Sequence, residues 1–495
     1  MTSLCCLDFA PLGTTALEWS VILKLAFQSV GVVYGDIGTS PLFVFSTIFS
    51  DDIKVEEDIL GALSLIFYSI TLIPLIKYIF IVLQANDKGD GGTFAIYSLI
   101  CRYAKVELIP SQQAEDKDVS TLQLDSTDRR TRRALKLKSM SENSNFAKFL
   151  ILITTMLCTS MVIGDGVLTP CISVVSAFDG IKLAAPSVMT EGVRVWISIA
   201  ILTLLFMVQR FGTDKVGSSF AYVLCVWFNS IAGIGIYNIA KYDPTVFKAL
   251  NPKYIIEYFK RNKKNAWISI GGVVMCITGA EALFADVGHF SILSVQISMC
   301  FVTYPALIVA YLGQGAFLRN HIDDVADTFY KSIPHNLYWP VFVMAVLVNI
   351  ISSQDLISGT FTINQQSLAL GCFPRVKILH MSTKHHGQIY ISKINNLLML
   401  ACVLITFGFR TTEKLSNAYG IAVMFVMVLT TCFLVLVMIM IWKTNIFLVI
   451  VYDLIIGTVE LVFLSAALYK FNEGGYVSLV FAAFLMFIMY VWNYV

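Results

Sequence analysis

Apolar runs of membrane-crossing length recur along this chain, and no other feature limits its fold as tightly. A span needs roughly 20 mostly apolar residues. Twelve stretches qualify: 20–49, 59–84, 147–178, 194–211, 217–240, 267–289, 291–318, 337–368, 389–408, 416–442, 446–469 and 474–494. Backbone polar groups in hydrocarbon must be paired within the protein, which leaves helices or closed barrels, and runs this long read as helices. Only 14% of residues are charged and 57% are hydrophobic, whereas a soluble domain is about 25% charged. The expected fold class is therefore an all-α polytopic membrane protein of about 12 transmembrane helices. The first apolar stretch is long enough to remain as a span, so no cleavable signal peptide is expected. A net charge of +2 implies no nucleic-acid partner. Cys158, Cys171, Cys225, Cys276, Cys300, Cys402 and Cys432 lie in apolar runs without a C-x-x-C pair. They read as packing residues, not as a zinc or disulfide framework.

Between the runs, residues 111–145 are plainly aqueous and carry Arg129, Arg130, Arg132, Arg133, Lys136 and Lys138. They read as a flexible loop, which the positive-inside rule puts in the cytoplasm together with both termini. Arg375, Lys377 and Lys384 agree with that orientation. The 241–265 loop, with Lys253, Lys260, Arg261, Lys263 and Lys264, disagrees, since the same count makes it external. The stretch GDGGTFAIYSLICR at 89–102 is Gly-rich and then amphipathic, which suits a re-entrant or interfacial helix.

An ionised group in hydrocarbon is costly and marks a functional site by default. The first run holds Asp36 among Gly35, Gly38 and Pro41, residues that weaken a helical ladder and free backbone carbonyls. The sixth holds Glu281 within ITGAEALFADVGHF. Interrupted helices five spans apart point to two five-helix inverted repeats with a site between them. Oxygen donors gather in the same regions. Asp36, Thr39 and freed carbonyls lie in span one, and Asp165, Thr169, Ser173 and Asp179 in span three. Thr278 and Glu281 lie in span six, followed by Asp286 and His289, and Tyr419 lies in span ten. Thr169 and Ser173, four apart, share a helical face, as do Thr278 and Glu281, three apart. Hydroxyls, carbonyls and one or two carboxylates suit a dehydrated alkali cation, whereas thiol or imidazole clusters would suit a transition metal.

These stretches resemble the KUP/HAK/KT family of potassium transporters. The carrying motifs are GVVYGDIGTSPLF, GDGGTFAIYSLICR, GDGVLTPCISVVSAFDG, ITGAEALFADVGHFS, YPALIVAYLGQGAFL and FYKSIPHNLYWPVFVMAVLVNIISSQDLISGTF, in order from about residue 20 to the end. The long loop and the SLICR stretch look like the plant branch. The resemblance implies a leucine-transporter-like 5+5 inverted repeat of the amino-acid/polyamine/organocation type, plus two extra helices. It implies potassium uptake by proton symport, with K+ held by Asp36, Thr169, Ser173, Thr278, Glu281 and Tyr419. Glu281, Asp36 and Asp179 are the candidates for carrying the proton. No cofactor is implied beyond the transported ions. The expected partners are the bilayer and K+, with a homodimer left open.

The chain departs from the family pattern in three places. Phe43 stands where the family's GDIGTSPLY ends in tyrosine, which removes one hydroxyl. Asp90 and Asp179 replace glutamates of many relatives. Relatives also usually continue past the twelfth span into a large cytoplasmic domain, which sets a second expectation, a truncated non-transporting partner or regulator of full-length relatives. The expected organisation is a cytoplasmic N-terminal segment at 1–19, a ten-helix transport core at 20–442 with a cytoplasmic loop at 85–146, and two additional helices at 443–495. The plasma membrane is the expected location and the vacuolar membrane the alternative. An intramembrane aspartyl protease would need two facing aspartates, each with a signature of its own, and the single Tyr-Asp pair in an apolar run, Tyr452–Asp453, does not make that pattern, so no enzyme is expected. An amino-acid or polyamine carrier would want a roomier site with fewer acids.

Overall fold

The computed structural model describes residues 19–49, 55–87, 89, 91–104, 129–184, 191–209, 217–285, 290–369, 371, 373–374, 376–380, 389–409 and 412–494. Among the described residues, nine helices are long and apolar enough to cross a membrane. They are Glu56–Gln84, Asn145–Phe178, Ser219–Lys241, Lys264–Ala285, Ile292–Asn320, His335–Leu368, Ser392–Phe409, Thr412–Met440 and Ile446–Tyr469. A tenth span is the bent pair Trp19–Val33 and Gly35–Leu42, which meet at 63°. Two shorter apolar helices, Gly192–Val208 and Tyr476–Trp492, occupy the places expected for the fourth and twelfth spans. Spans are numbered one to twelve in chain order below. Phe301, Phe447, Leu454 and Phe487 are exposed on the outside of the bundle, as a lipid-facing surface requires.

Small residues bring the spans close. Without a hydrophobic drive between helices in lipid, close backbone approach supplies the packing. Gly313 of span seven lies against the backbone of Gly235 in span five, and a side chain there would collide with it. Span three belongs to a 40-residue helix, Asn145–Ala184, that keeps Pro170 inside it and packs on spans eight, ten and twelve.

Two stretches expected to be loops are helical. Arg129–Asn143 forms a helix because Arg, Leu, Lys, Met and Glu are good helix formers, and because its buried Ala134 gives it a packing face. It lies against spans three and ten. Residues 111–128 of that expected loop are outside the described residues. The 241–265 connection contains a 3-10 turn at Pro244–Leu250 and a helix at Lys253–Asn262. That helix docks on span two, where Arg261 Nε and Asn262 Nδ2 each donate to Asp58 Oδ1 at 2.7 Å. Nearby, Arg319 pairs with Asp243. Burial pushes the Asp243 carboxyl up, but hydrogen bonds from Thr245 and the Arg319 guanidinium outweigh it and hold the group below its ordinary value. The Gly-rich stretch after span two leads into a helix at Thr93–Ala104. It is too short to span and is buried against spans three, eight and ten. Gln366 fixes its start by donating to Gly91 O at 3.2 Å. A two-residue antiparallel pair, Leu379–His380 with Ile389–Tyr390, lies between spans eight and nine.

Candidate cation site at two broken helices

Span one breaks at Tyr34 (φ −114°, ψ 15°). A short helix, Gly35–Thr39, follows, then a 3-10 turn, Ser40–Leu42, and a second short helix, Val44–Ile48. Proline near the start of the 3-10 turn cannot donate to the ladder, so carbonyls upstream need other partners. The neighbouring spans provide them. Trp227 Nε1 of span five donates to Gly38 O at 2.8 Å, and Gln314 Nε2 of span seven donates to Pro41 O at 3.0 Å. Thr39 and Ser40 hydroxyls turn back to Asp36 O at 2.9 and 3.3 Å. Three carbonyls of this stretch, those of Asp36, Gly38 and Pro41, thus already accept from protein donors, as irregular backbone at membrane depth requires.

Span six breaks differently. Lys264–Val273 is followed by a 3-10 turn at Val274–Cys276 and then, past Gly279 at φ +83°, by the helix Ala280–Ala285. Gly279 lies against span one, and a Cβ there would sit 2.9 Å from both Cβ and Oδ2 of Asp36. Thr278 Oγ1 is 3.4 Å from Ser40 Oγ and donates to Met275 O at 3.0 Å. The two breaks therefore touch.

Around this junction the acids are buried and partnered. Asp36 is 8% exposed, and its Oδ2 accepts from the Tyr419 hydroxyl of span ten at 2.6 Å. Thr169 of span three donates to Asp165 Oδ1 at 3.0 Å, and the Tyr419 hydroxyl lies near this pair. Ser173 is buried one turn further along the same helix. Glu281 turns toward spans two and ten: Tyr78 OH donates to its Oε2 at 2.5 Å and Thr430 Oγ1 to its Oε1 at 3.1 Å. Asp165 is itself buried.

The structure thus gathers Asp36, Thr169, Thr278 and Tyr419, with Ser173 on the adjoining turn, and sets Glu281 two residues past the contact point. The Asp179 side chain, Asp90, Asp286 and His289 lie outside the described residues. Phe43 is buried in the hydrophobic core. Asp165 is buried and accepts from Thr169. Tyr78 and Thr430 were not singled out from the sequence, because a lone tyrosine or threonine in an apolar run carries no signal. Lys77, beside Tyr78, did offer one, as a charge inside the second apolar run. Among the described residues no three His, Cys, Asp or Glu side chains cluster as a metal site. A groove of about 600 Å³ between spans five and eight is lined by none of these residues.

Broken spans one and six, buried acids at their contact and the nine or ten long apolar spans among the described residues define a multi-pass membrane protein of the leucine-transporter-like fold. A solved manganese transporter mutant from Eremococcus coleocola shares that fold, at 12% identity and a TM-score of 0.51, over 98% of this chain and 96% of that one. The family described as the K+ potassium transporter integral membrane domain matches residues 23–495, and the chain belongs to it. Among its relatives, Potassium transporter 5 of Oryza sativa subsp. japonica is 58% identical over 97% of this chain and 62% of its own length. Potassium transporter 5 of Arabidopsis thaliana is 55% identical over 97% of this chain and 60% of its own length. These are plant members of the KUP/HAK/KT family, and the chain spans about three-fifths of their length.

Proposed function

We propose that this chain carries K+ across a membrane by alternating access, with a proton as the coupled ion, and that Asp36, Thr169, Ser173, Thr278, Glu281 and Tyr419 form its cation site. One observation carries the reading: Gly279, at the break of span six, lies against Asp36, at the break of span one. This is where a rocking two-repeat transporter would hold its substrate. The donors at the junction are hydroxyls and carboxylates, which match an alkali cation better than a softer metal.

Energetics favour coupling for uptake from dilute solution. Each tenfold gradient costs about 1.4 kcal/mol, so five decades cost about 7. A potential of about 200 mV returns only about 4.6 kcal/mol per charge. The balance would come from a proton on a carboxylate that responds to the cation. Glu281, Asp36 and Asp179 are the candidates. Uptake from outside the cell would place the chain in the plasma membrane, and release from an internal store would place it in the vacuolar membrane.

Rubidium uptake in yeast deficient in potassium uptake tests the assignment. The chain should restore uptake, and Asp36→Asn or Glu281→Gln should abolish it at equal expression. Wild-type uptake by a well-expressed Asp36→Asn variant would reject the site.

A further inference from the structure

Span two contains a π-helical stretch, Thr71–Ile81, and within it the neighbouring residues Lys77 and Tyr78, both fully buried. They serve different carboxylates. Tyr78 donates to Glu281 Oε2 at 2.5 Å. Lys77 Nζ lies 2.6 Å from Oε1 of Glu460, on span eleven, and both of these side chains are 0% exposed. Span ten repeats the arrangement. Thr430 donates to Glu281 Oε1 at 3.1 Å, and its neighbour Thr431 donates to Glu460 Oε2 at 2.6 Å. Lys77 also donates to Met427 O at 2.8 Å. Two pairs of sequence neighbours, from spans two and ten, thus hold all four oxygens of Glu281 and Glu460.

A buried ion pair is weak evidence for stability, because desolvating both charges offsets their attraction and apolar replacement is often neutral. This pair is also fixed to the same helix turns that orient a cation-site acid, and π-helical turns of this kind often mark functional positions. We propose that Lys77 and Glu460 are positioning residues for the cation site. Through Tyr78 and Thr430 the pair sets how Glu281 is presented, which ties span eleven, outside the ten-helix repeat, to the ion. The inference rests on the cation-site reading of Glu281.

The test is rubidium binding and uptake by the full chain, wild type against Lys77→Met/Glu460→Gln, which removes both charges at similar volume and so avoids a stranded one. The pair variant should fold and lose apparent rubidium affinity by about 2- to 30-fold, the range for residues that modulate a site through contacts, with maximal uptake per folded transporter unchanged. Adding Tyr78→Phe to it should cost less than Tyr78→Phe costs in the wild type. Wild-type affinity in the folded pair variant, or strict additivity with Tyr78→Phe, overturns the proposal. If the pair variant does not fold, Thr431→Val keeps both charges and removes only one hydrogen bond from Glu460. Weakened affinity then supports the coupling and unchanged affinity overturns it. A wild-type chain that binds no rubidium removes the cation reading and this inference together, whereas equal binding by wild type and pair variant removes this inference alone.

Discussion

Span one bends by 63° without a left-handed residue, whereas span six turns through Gly279 at φ +83°. The first break is held from outside: Trp227 and Gln314, on spans five and seven, take the carbonyls that the break releases. The second is held by its own sequence, since only glycine adopts that backbone without strain and only glycine leaves room for Asp36. The acids differ as well. Among the described residues Asp36 has one hydroxyl donor, Tyr419, while Glu281 has two, Tyr78 and Thr430. Similar interruptions five spans apart therefore rest on different supports, one tertiary and one local.

The largest effect should come from Gly279→Ala. The left-handed backbone costs an alanine roughly 1–2 kcal/mol, and its methyl would press on Asp36. Rubidium uptake should be lost at normal expression, and retained uptake would show that the break of span six does not depend on glycine. Next comes the contrast between the hydroxyls. Tyr419→Phe should weaken rubidium affinity more than Tyr78→Phe, because Glu281 keeps Thr430. The reverse order, in matched uptake assays, would break the contrast between the two acids. The smallest effect on transport should follow Trp227→Phe, which leaves Gly38 O without its indole donor. A buried polar group left unpaired costs about 1–3 kcal/mol. The thermal midpoint of the purified chain should fall while rubidium affinity stays the same, and a gain in affinity would instead make that carbonyl an ion ligand.

Asp36 and Glu281 were legible as candidates because a carboxylate in an apolar run is costly enough to mark a functional position by default. The hydroxyls at 169, 173, 278 and 419 followed as oxygen donors of matching depth. Tyr78, Thr430 and Thr431 were not legible, since each is unremarkable in its own run and matters only through its partner on another span. Lys77 and Glu460 carried the same charge-in-hydrocarbon signal as Asp36, with Pro74 and Gly457 three residues before them, but their pairing joins spans two and eleven and neither segment announces it. The basic stretch read as a loop became a helix over Arg129–Asn143 because a charge run describes solvation but says nothing of a packing face that exists only once spans three and ten are in place.

Hydropathy alone determined the membrane, the helical class and the positions of the spans, because each of these follows from short-range chemistry that a single segment carries with it. Local composition likewise placed the two breaks. Which carbonyls of span one are already spoken for, which hydroxyl meets which acid, and the tie from Glu281 to span eleven were decided only by the tertiary structure. Those pairings join residues as many as 383 positions apart, and hydrogen bonds of 2.5–3.4 Å depend on where whole helices come to rest, which no segment encodes by itself.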